Sequence, residues 1–534
     1  MTQFRESLSA RGERWTASRG ARILLIVLFV AAIRSTLISI AKPFWYDELC
    51  TVLVSRLPGA PAIWNALRQG ADGQPLPYYM IVRFFQRFVP DDHLAARLPS
   101  ILGLLATVTV TYFILAKRVS QLSALIGASF VLCTILAGYG CEARPYALLL
   151  ACVSAAVFCW QRIDESMFWA LLTAISLAAA VSVHYYAFLV WPAFILAELS
   201  VLAARRRLRW AAWLALAAGI TPYLFLAPVL LEYRRNFAAH FSSLPSAMQV
   251  FYSHDWLFEV SAHWGWSFAV LVTVFLVTAR PRAVRLGSQA HSGAGLASLP
   301  LEELILILTL LWLPAIAVLV VKLGHGGMTL RYMLPAVLGG ALAVGCAIER
   351  APAFWQKLLL LVLVVQFGAP GFSQVKSALT GSLLEQRRSA ALEVANIESR
   401  AGDPGLPVVI ADGLQYLPTL YYAPVDEKTR LFYVADPRAA LQFSNAKSDT
   451  LDLTYVAQEQ ASLVQTWNYE SFLAAHQRFI LVASQDWDFQ WLPARLVHDG
   501  YTLRFLSGGN GNSIFDVSLA PSHEPPVGMP AAQN

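Results

Sequence analysis

The sequence has few charged residues and few cysteines. Only 14% of its 534 residues are Asp, Glu, Lys or Arg, whereas soluble proteins carry about 25%. This shortage excludes an intrinsically disordered chain and argues against a cytosolic enzyme or a nucleic-acid binder built on basic patches. The six cysteines form no Cys-x-x-Cys pair and show no Cys/His spacing of the kind that binds zinc.

Long apolar runs are what the sequence has instead. Apolar residues make up 57% of the chain, and the mean hydropathy is +0.52. A helix that crosses a bilayer needs about 20 apolar residues, and we count about eleven such runs, some of them shorter. They are residues 22–41, 97–116, 122–138, 146–160, 168–183, 186–203, 210–230, 266–278, 304–321, 332–348 and 358–372.

Basic residues predict the orientation of these runs. Short loops on the cytoplasmic side of a membrane are rich in Lys and Arg. The tail before the first run holds Arg5, Arg11, Arg14, Arg19 and Arg22, and every second loop that follows also carries basic residues. The N-terminus is therefore predicted to be cytoplasmic and the C-terminal segment extracytoplasmic. A cleaved signal peptide is the alternative for the first run, and it leaves the following loop on the same outer side.

Composition divides the chain into four parts. Residues 1–21 are predicted to be a cytoplasmic tail. Residues 22–372 are predicted to be a transmembrane domain that includes a first outer loop at 42–95. Residues 373–519 alternate short apolar runs with helical patterns, which is typical of βα units and predicts a small outer α/β domain. Residues 520–534 are rich in proline and are predicted to be a disordered tail.

Polar side chains gather at the predicted outer ends of the helices. Asp47 and Glu48 follow the first run, where a carboxylate can act as a general base, bind a metal ion or simply cap a helix. Arg144 and Arg331 each begin a run, where a guanidinium group suits a phosphate but also anchors a helix at the membrane interface. Further candidates are Glu142, His184, Tyr185, His325 in a glycine-rich loop, and Arg34 inside the first run.

Five motifs in order resemble the GT-C glycosyltransferases that use polyprenyl-phosphate sugars. Similar families are the protein O-mannosyltransferases, the lipid A aminoarabinose transferase and the Rgt-like transferases. The motifs are Trp45-Tyr46-Asp47-Glu48, Gln74-Pro75-Leu76-Pro77-Tyr78-Tyr79, Arg97-Leu98-Pro99-Ser100, Glu142-Ala143-Arg144-Pro145-Tyr146-Ala147 and His184-Tyr185-Tyr186. The resemblance covers about residues 20–370. It implies a polytopic α-helical membrane protein of GT-C type, with a small C-terminal extracytoplasmic α/β domain, in a bacterial-type inner membrane.

The resemblance also implies an activity. A sugar would move from a polyprenyl-phosphate carrier to a hydroxyl of a glycan, lipid A or protein acceptor, with inversion at the sugar C1. Asp47 would take the proton of the acceptor hydroxyl, and Glu48 would position the acceptor or join Asp47 on a divalent metal ion.

The phosphate of the donor would be held by residues that begin or end helices. The residues implied are Arg144, Arg331, Tyr146, His184 and Tyr185, with Gln74, Tyr78, Glu142, His325 and Arg34 as further candidates. Gln74 stands where many relatives have Lys or His, which shifts the weight of phosphate binding to Arg144 and Arg331.

Three other functions stay open at the level of the sequence. A multi-pass transporter or flippase of a lipid-linked or small substrate would also use many helices, although transporters place polar groups near the midplane and in matching halves. A polymerase or ligase of lipid-linked glycans would use a diphosphate-linked oligosaccharide. A non-enzymatic assembly factor would keep the fold but tolerate the loss of Asp47.

Overall fold

The computed structural model describes residues 19–237, 246, 248–260, 264–278, 299–324, 329–381, 405–444, 464, 466–484, 490–509 and 512–519. Contacts divide the chain into two compact units. The first unit comprises Met1–Ala41, Gln74–Pro228 and Phe241–Thr380, and the second comprises Lys42–Gly73, Val229–His240 and Gly381–Asn534. The first part of the predicted outer loop 42–95 thus groups with the C-terminal part of the chain. The predicted tail 520–534 and nearly all of the tail 1–21 lie outside the described residues.

The helices account for most of the described residues. In chain order they are α1 (Arg19–Ala41), α2 (Tyr46–Ser55), α3 (Ala60–Gln69), α4 (Leu76–Phe88), α5 (Asp92–Ala116), α6 (Gln121–Phe130), α7 (Leu136–Tyr139), α8 (Tyr146–Trp160), α9 (Met167–Val183), α10 (Trp191–Arg205), α11 (Trp210–Gly219), α12 (Pro222–Phe237), α13 (Met248–Leu257), α14 (Trp264–Thr278), α15 (Leu301–Leu311), α16 (Leu313–Gly324), α17 (Pro335–Ile348), α18 (Ala353–Leu379), α19 (Gly413–Tyr422), α20 (Val425–Lys428), α21 (Pro437–Ser444), α22 (Tyr469–Ala475) and α23 (Trp491–His498). Short 3-10 helices span Val131–Cys133, Tyr185–Val190 and Leu330–Met333. The strands are β1 (Val408–Ile410), β2 (Leu431–Val434), β3 (Thr466–Trp467), β4 (Arg478–Ser484), β5 (Tyr501–Gly509) and β6 (Asn512–Leu519).

The predicted apolar runs coincide with helices. Within the described residues, 5 helices are long and apolar enough to cross a membrane, or 6 when α15 and α16, which meet at 65°, count as one bent span. Shorter apolar helices match the remaining runs: Gln121–Cys133, Tyr146–Trp160, Met167–Val183, Trp264–Thr278 and Pro335–Ile348. The multi-pass helical architecture is therefore confirmed, whereas the number of spans and their orientation stay predictions.

Small residues let the helices of the first unit approach closely. A Cβ atom on Gly103 of α5 would lie 2.6 Å from the carbonyl carbon of Ala147 in α8, so only glycine fits at this crossing. One turn earlier on α5, the hydroxyl of Ser100 donates a 2.8 Å hydrogen bond to the carbonyl oxygen of Arg144. The packing of α5 against α8 thus fixes the backbone that carries Arg144.

A buried ion pair joins α10 to the chain just before α11. The guanidinium of Arg209 donates to both carboxylate oxygens of Glu198, at 3.0 and 2.6 Å, and to Asp164 at 3.1 Å. The indole N–H of Trp160 donates to Glu198 at 2.6 Å. Glu198 is 1% exposed, so these donors compensate for the loss of water around a buried carboxylate.

The second unit contains a six-stranded mixed sheet. Its strand order is β3-β2-β1-β4-β6-β5, in which β1 to β4 pair in parallel and β5 and β6 are antiparallel. On one face of β4, Phe479, Leu481 and Ala483 pack in a hydrophobic core with α21, α22 and α23. On the opposite face, Ile480 and Val482 are also buried. A strand that is covered on both faces is typical of parallel α/β sheets, so the predicted α/β architecture is confirmed.

Candidate active site

The predicted base lies in the first turn of α2, within the second unit. Asp47 is half-buried, whereas Glu48 is fully buried. The carboxylate of Glu48 accepts a 3.3 Å hydrogen bond from the backbone N–H of Trp45, the residue before the helix. This is the backward contact of a capping box. The two neighbouring carboxylates therefore differ: Glu48 supports the start of the helix, and Asp47 is the one that reaches solvent.

A divalent ion shared by Asp47 and Glu48 does not fit this arrangement. The carboxylate of Glu48 is turned to the backbone of its own helix. In the described part of the chain, no group of three or more His, Cys, Asp or Glu side chains is placed to hold a metal ion. Cys50 and Cys141 are both free thiols.

The charges of Arg144 and Arg331, the predicted phosphate ligands, both influence the pKa of His184 within the first unit. Arg144 precedes α8 and is 4% exposed, and Arg331 lies half-buried in the 3-10 helix Leu330–Met333. Burial, followed by the positive charges of these two arginines, lowers the pKa of His184 to about 3. The imidazole is therefore neutral in ordinary buffers, and the positive charge of the cluster comes from the two guanidinium groups.

His184 presents a hydrogen-bond donor in this cluster. It follows the last residue of α9, and its Nδ1 accepts the backbone N–H of Tyr186 at 3.1 Å. In a neutral imidazole the proton then resides on Nε2. The Nε2 atom is buried and has no hydrogen-bond partner among the residues that the structure describes. A buried N–H beside two cations suits an anionic oxygen, because the anion would satisfy the donor and the charges together.

Aromatic rings surround His184. The ring centroids of Tyr146 and Tyr332 each lie 5.4 Å from that of His184. Tyr332 also stacks on Tyr186 at 3.9 Å, and Tyr139 packs edge-on against Tyr146 at 4.8 Å. Such a wall excludes water and so strengthens charge interactions inside it. Sequence reasoning missed Tyr332 and Tyr139, although Tyr332 directly follows Arg331 and Tyr139 lies shortly before the Arg144 motif.

Among the other candidates, Glu142 belongs to the same neighbourhood, because its charge acts on Tyr139 together with those of Arg144 and Arg331. The backbone carbonyl of Tyr185 accepts the hydroxyl of Tyr223, and that of Glu142 accepts the N–H of Arg144. Arg34 donates a 2.6 Å hydrogen bond to Gln374 and lies 5.0 Å from the ring centroid of Phe367, so it connects α1 with α18. Gln74 and Tyr78 are buried at the start of α4, and His325 lies outside the described residues.

Comparisons with known proteins give a fold. No family model and no curated protein matches the chain. Two structures of ArnT from Cupriavidus metallidurans are similar to it. The apo structure has a TM-score of 0.56 and the structure bound to undecaprenyl phosphate one of 0.55, each with 13% identity over 93% of this chain and 98% of that chain. The oligosaccharyltransferase of Archaeoglobus fulgidus shows a weaker likeness, with a TM-score of 0.43 and 8% identity over 92% and 74% of the two chains. The GT-C fold implied by the motifs is thus confirmed.

Proposed function

We propose that the protein is a membrane glycosyltransferase that moves a sugar from a polyprenyl-phosphate carrier to a hydroxyl of a cell-envelope acceptor on the outer face of the membrane. The observation that carries this proposal is that the charges of Arg144 and Arg331 act on His184, whose Nε2 is buried without a hydrogen-bond partner among the described residues. An ArnT structure of the same fold is bound to undecaprenyl phosphate, which supports a lipid phosphate as the anion.

Arg144, Arg331 and His184 suit the leaving group of such a reaction, which is the phosphate of the carrier. Charge develops on the phosphate oxygens as the bond from the sugar C1 to the carrier breaks. Two permanent cations and one neutral N–H donor would stabilise that charge without giving up a proton. A phosphate monoester is already a good leaving group, so the reaction needs no general acid of the kind that glycosidases use.

Asp47 supplies the other half of the chemistry in this proposal. Its half-exposed carboxylate would accept the proton of the acceptor hydroxyl while the oxygen attacks C1. Attack on the side opposite the departing phosphate inverts the configuration at C1. The acceptor thus gains the sugar, the carrier phosphate leaves with the bonding electrons, and Asp47 holds the proton until water removes it.

The proposal is tested by transfer in lipid vesicles that contain the purified full-length protein. Donors are radiolabelled polyprenyl-phosphate hexoses, pentoses, amino sugars and uronic acids, together with a polyprenyl-diphosphate oligosaccharide. Acceptors are envelope glycans, lipid A and peptides. We expect one monophosphate donor to be consumed and Asp47→Asn to lower transfer by roughly 10²–10⁴-fold, the usual worth of a general base.

A matched control removes the same charge elsewhere in the predicted outer loop. Asp91 caps α5 by accepting the N–H of Leu94 at 2.7 Å, and asparagine caps a helix equally well, so Asp91→Asn should keep full activity. A folded Asp47→Asn protein as active as the wild type would overturn the role of the base. Consumption of the diphosphate donor alone would instead favour a polymerase or ligase.

A further inference from the structure

The segment that leads into α2 is held by the last turn of α19, within the second unit. The backbone N–H of Phe44 donates a 2.6 Å hydrogen bond to the hydroxyl of Tyr422. The ring of Phe44 packs edge-on against Tyr421, with the centroids 5.9 Å apart and the planes at 75°. Two consecutive tyrosines therefore hold both the backbone and the side chain of Phe44. Tyr422, which accepts the hydrogen bond, lies 378 residues from Phe44 in the sequence.

Helix α19 is itself fixed to the sheet. It starts directly after β1, and its N-cap Asp412 accepts the N–H of Leu414 at 2.8 Å. Tyr416 of this helix is fully buried and packs against Tyr433 of β2, with ring centroids 5.4 Å apart. At the other end, the ammonium of Lys428 donates to the carbonyl of Tyr421 at 3.2 Å. The hydroxyl of Tyr422 is thus mounted on a rigid element.

The contact lies three residues before the proposed base. Phe44 is 2% exposed, so its N–H is removed from bulk water and depends on a protein acceptor. The next N–H, that of Trp45, is accepted by Glu48. Both backbone amides before α2 are therefore held, one by the helix itself and one by α19. A shift of this backbone would move Asp47, which lies in the first turn of the helix.

We propose that Tyr422 is a positioning residue for Asp47. Its hydroxyl fixes the start of α2, so the α/β part of the chain contributes to sugar transfer by holding Asp47 in its reactive position. This inference rests on the proposed function, in which Asp47 accepts the proton. Small misplacements of a catalytic group reduce the rate of the chemical step far more than they reduce substrate binding.

The first test is the Tyr422→Phe variant of the full-length protein in lipid vesicles. Phenylalanine keeps the ring and removes only the hydroxyl. We expect kcat to fall by about tenfold, with the KM for the polyprenyl-phosphate donor unchanged. The matched control is Tyr469→Phe, which removes a buried tyrosine hydroxyl that donates to Asp499 at 2.9 Å on another helix of the same unit. The control should lower the melting temperature and leave kcat unchanged.

The second test is a double-mutant cycle with Asp47→Asn, which separates positioning from general destabilisation. If Tyr422 acts through Asp47, Tyr422→Phe should reduce the residual activity of the Asn variant by less than twofold, because the base is already gone. A full tenfold loss in both backgrounds would overturn the inference, as would wild-type kcat in Tyr422→Phe while Asp47→Asn is inactive. If Asp47→Asn itself retains wild-type activity, the proposed function fails, and this inference fails with it.

Discussion

Replacing Glu48 by glutamine should leave the protein folded and active, whereas replacing it by alanine should not. The reason is that Glu48 is fully buried and its carboxylate accepts the N–H of Trp45. A glutamine amide offers an oxygen at the same reach and can accept the same hydrogen bond. Alanine offers none, so a backbone amide next to the start of α2 would lose its acceptor.

The size of the effect follows from these contacts. Loss of a helix cap costs about 0.5–2 kcal/mol of stability. Truncation of the fully buried Glu48 side chain to alanine also leaves a cavity at the start of α2. We therefore expect Glu48→Ala to lose roughly 2–3 kcal/mol. Glutamine keeps the acceptor for the N–H of Trp45 and loses the attraction between the carboxylate and the helix dipole, about 0.3–1 kcal/mol.

The assay combines thermal unfolding with sugar transfer on the same preparations. Glu48→Gln should melt within a few degrees of the wild type and keep most of its transfer activity, while Glu48→Ala should lose both. Glu470→Gln is the control, because Glu470 also lies in the first turn of a helix of the second unit, α22, but its side chain is 78% exposed. A Glu48→Gln protein that melts like the wild type but transfers no sugar would refute the reasoning, because the charge of Glu48 would then be needed for the chemistry.

Three further perturbations test other parts of the structure. His184→Phe keeps a ring but loses the Nε2 donor, so the rate of transfer should fall by roughly 10²-fold. The pKa of His184 is lowered to about 3, so the imidazole does not titrate above pH 5, and the pH–rate profiles of the variant and the wild type should be parallel there. Glu198→Ala leaves the buried guanidinium of Arg209 with Asp164 as its remaining carboxylate partner. The free energy of unfolding, measured by denaturant titration, should fall by about 3 kcal/mol, the lower end for a broken buried pair. An unchanged midpoint would contradict a buried ion pair. Hydrogen bonds from Arg478 and Arg504 lower the pKa of Asp516, so the contribution of Asp516 to stability is complete above its unfolded pKa near pH 4 and is lost as the pH falls through the lower folded pKa. Asp516→Asn should therefore make stability depend less on pH in the acid range. An unchanged dependence would count against these hydrogen bonds.

The helices of the first unit could be predicted from the sequence because backbone hydrogen bonding in lipid leaves few alternatives. A segment in lipid must satisfy its own backbone hydrogen bonds, so a long apolar run has essentially one available structure. The bend between α15 and α16 has a signal in the sequence that hydropathy does not register. Pro314 lies two residues after the break at Trp312, and a proline cannot donate the backbone hydrogen bond that would continue the preceding helix. The predicted run 304–321 follows hydropathy alone and therefore passes through the bend.

The roles of Asp47 and Glu48 were only half readable. Their adjacency suggested a shared metal ion, because successive carboxylates can ligate one cation. In a helix, however, neighbouring side chains point about 100° apart, and this rotation buries one carboxylate and exposes the other. The backward hydrogen bond of Glu48 follows the capping pattern at the third helical position. Counting positions from Trp45 could have revealed it.

The grouping of Lys42–Gly73 with the C-terminal part of the chain was hidden for a different reason. Sequence reading assigns a loop to the spans that flank it, whereas contacts such as that of Phe44 with Tyr422 join residues hundreds of positions apart. No local pattern marks either partner of such a contact. The same holds for Tyr332, whose ring packs against His184 from a distant part of the chain.

The proposed function assigns proton chemistry and charge stabilisation to different residues. In the first unit, burial and two permanent cations lower the pKa of His184 to about 3, so the two cations and the imidazole can stabilise charge without exchanging a proton at pH 7. In the second unit, one of the two neighbouring carboxylates is committed to a helix start and the other is half-exposed. In the proposed transfer, a departing phosphate requires charge rather than a proton, and Arg144, Arg331 and the Nε2 donor of His184 would supply that charge. The proton of the acceptor is assigned in the same proposal to Asp47.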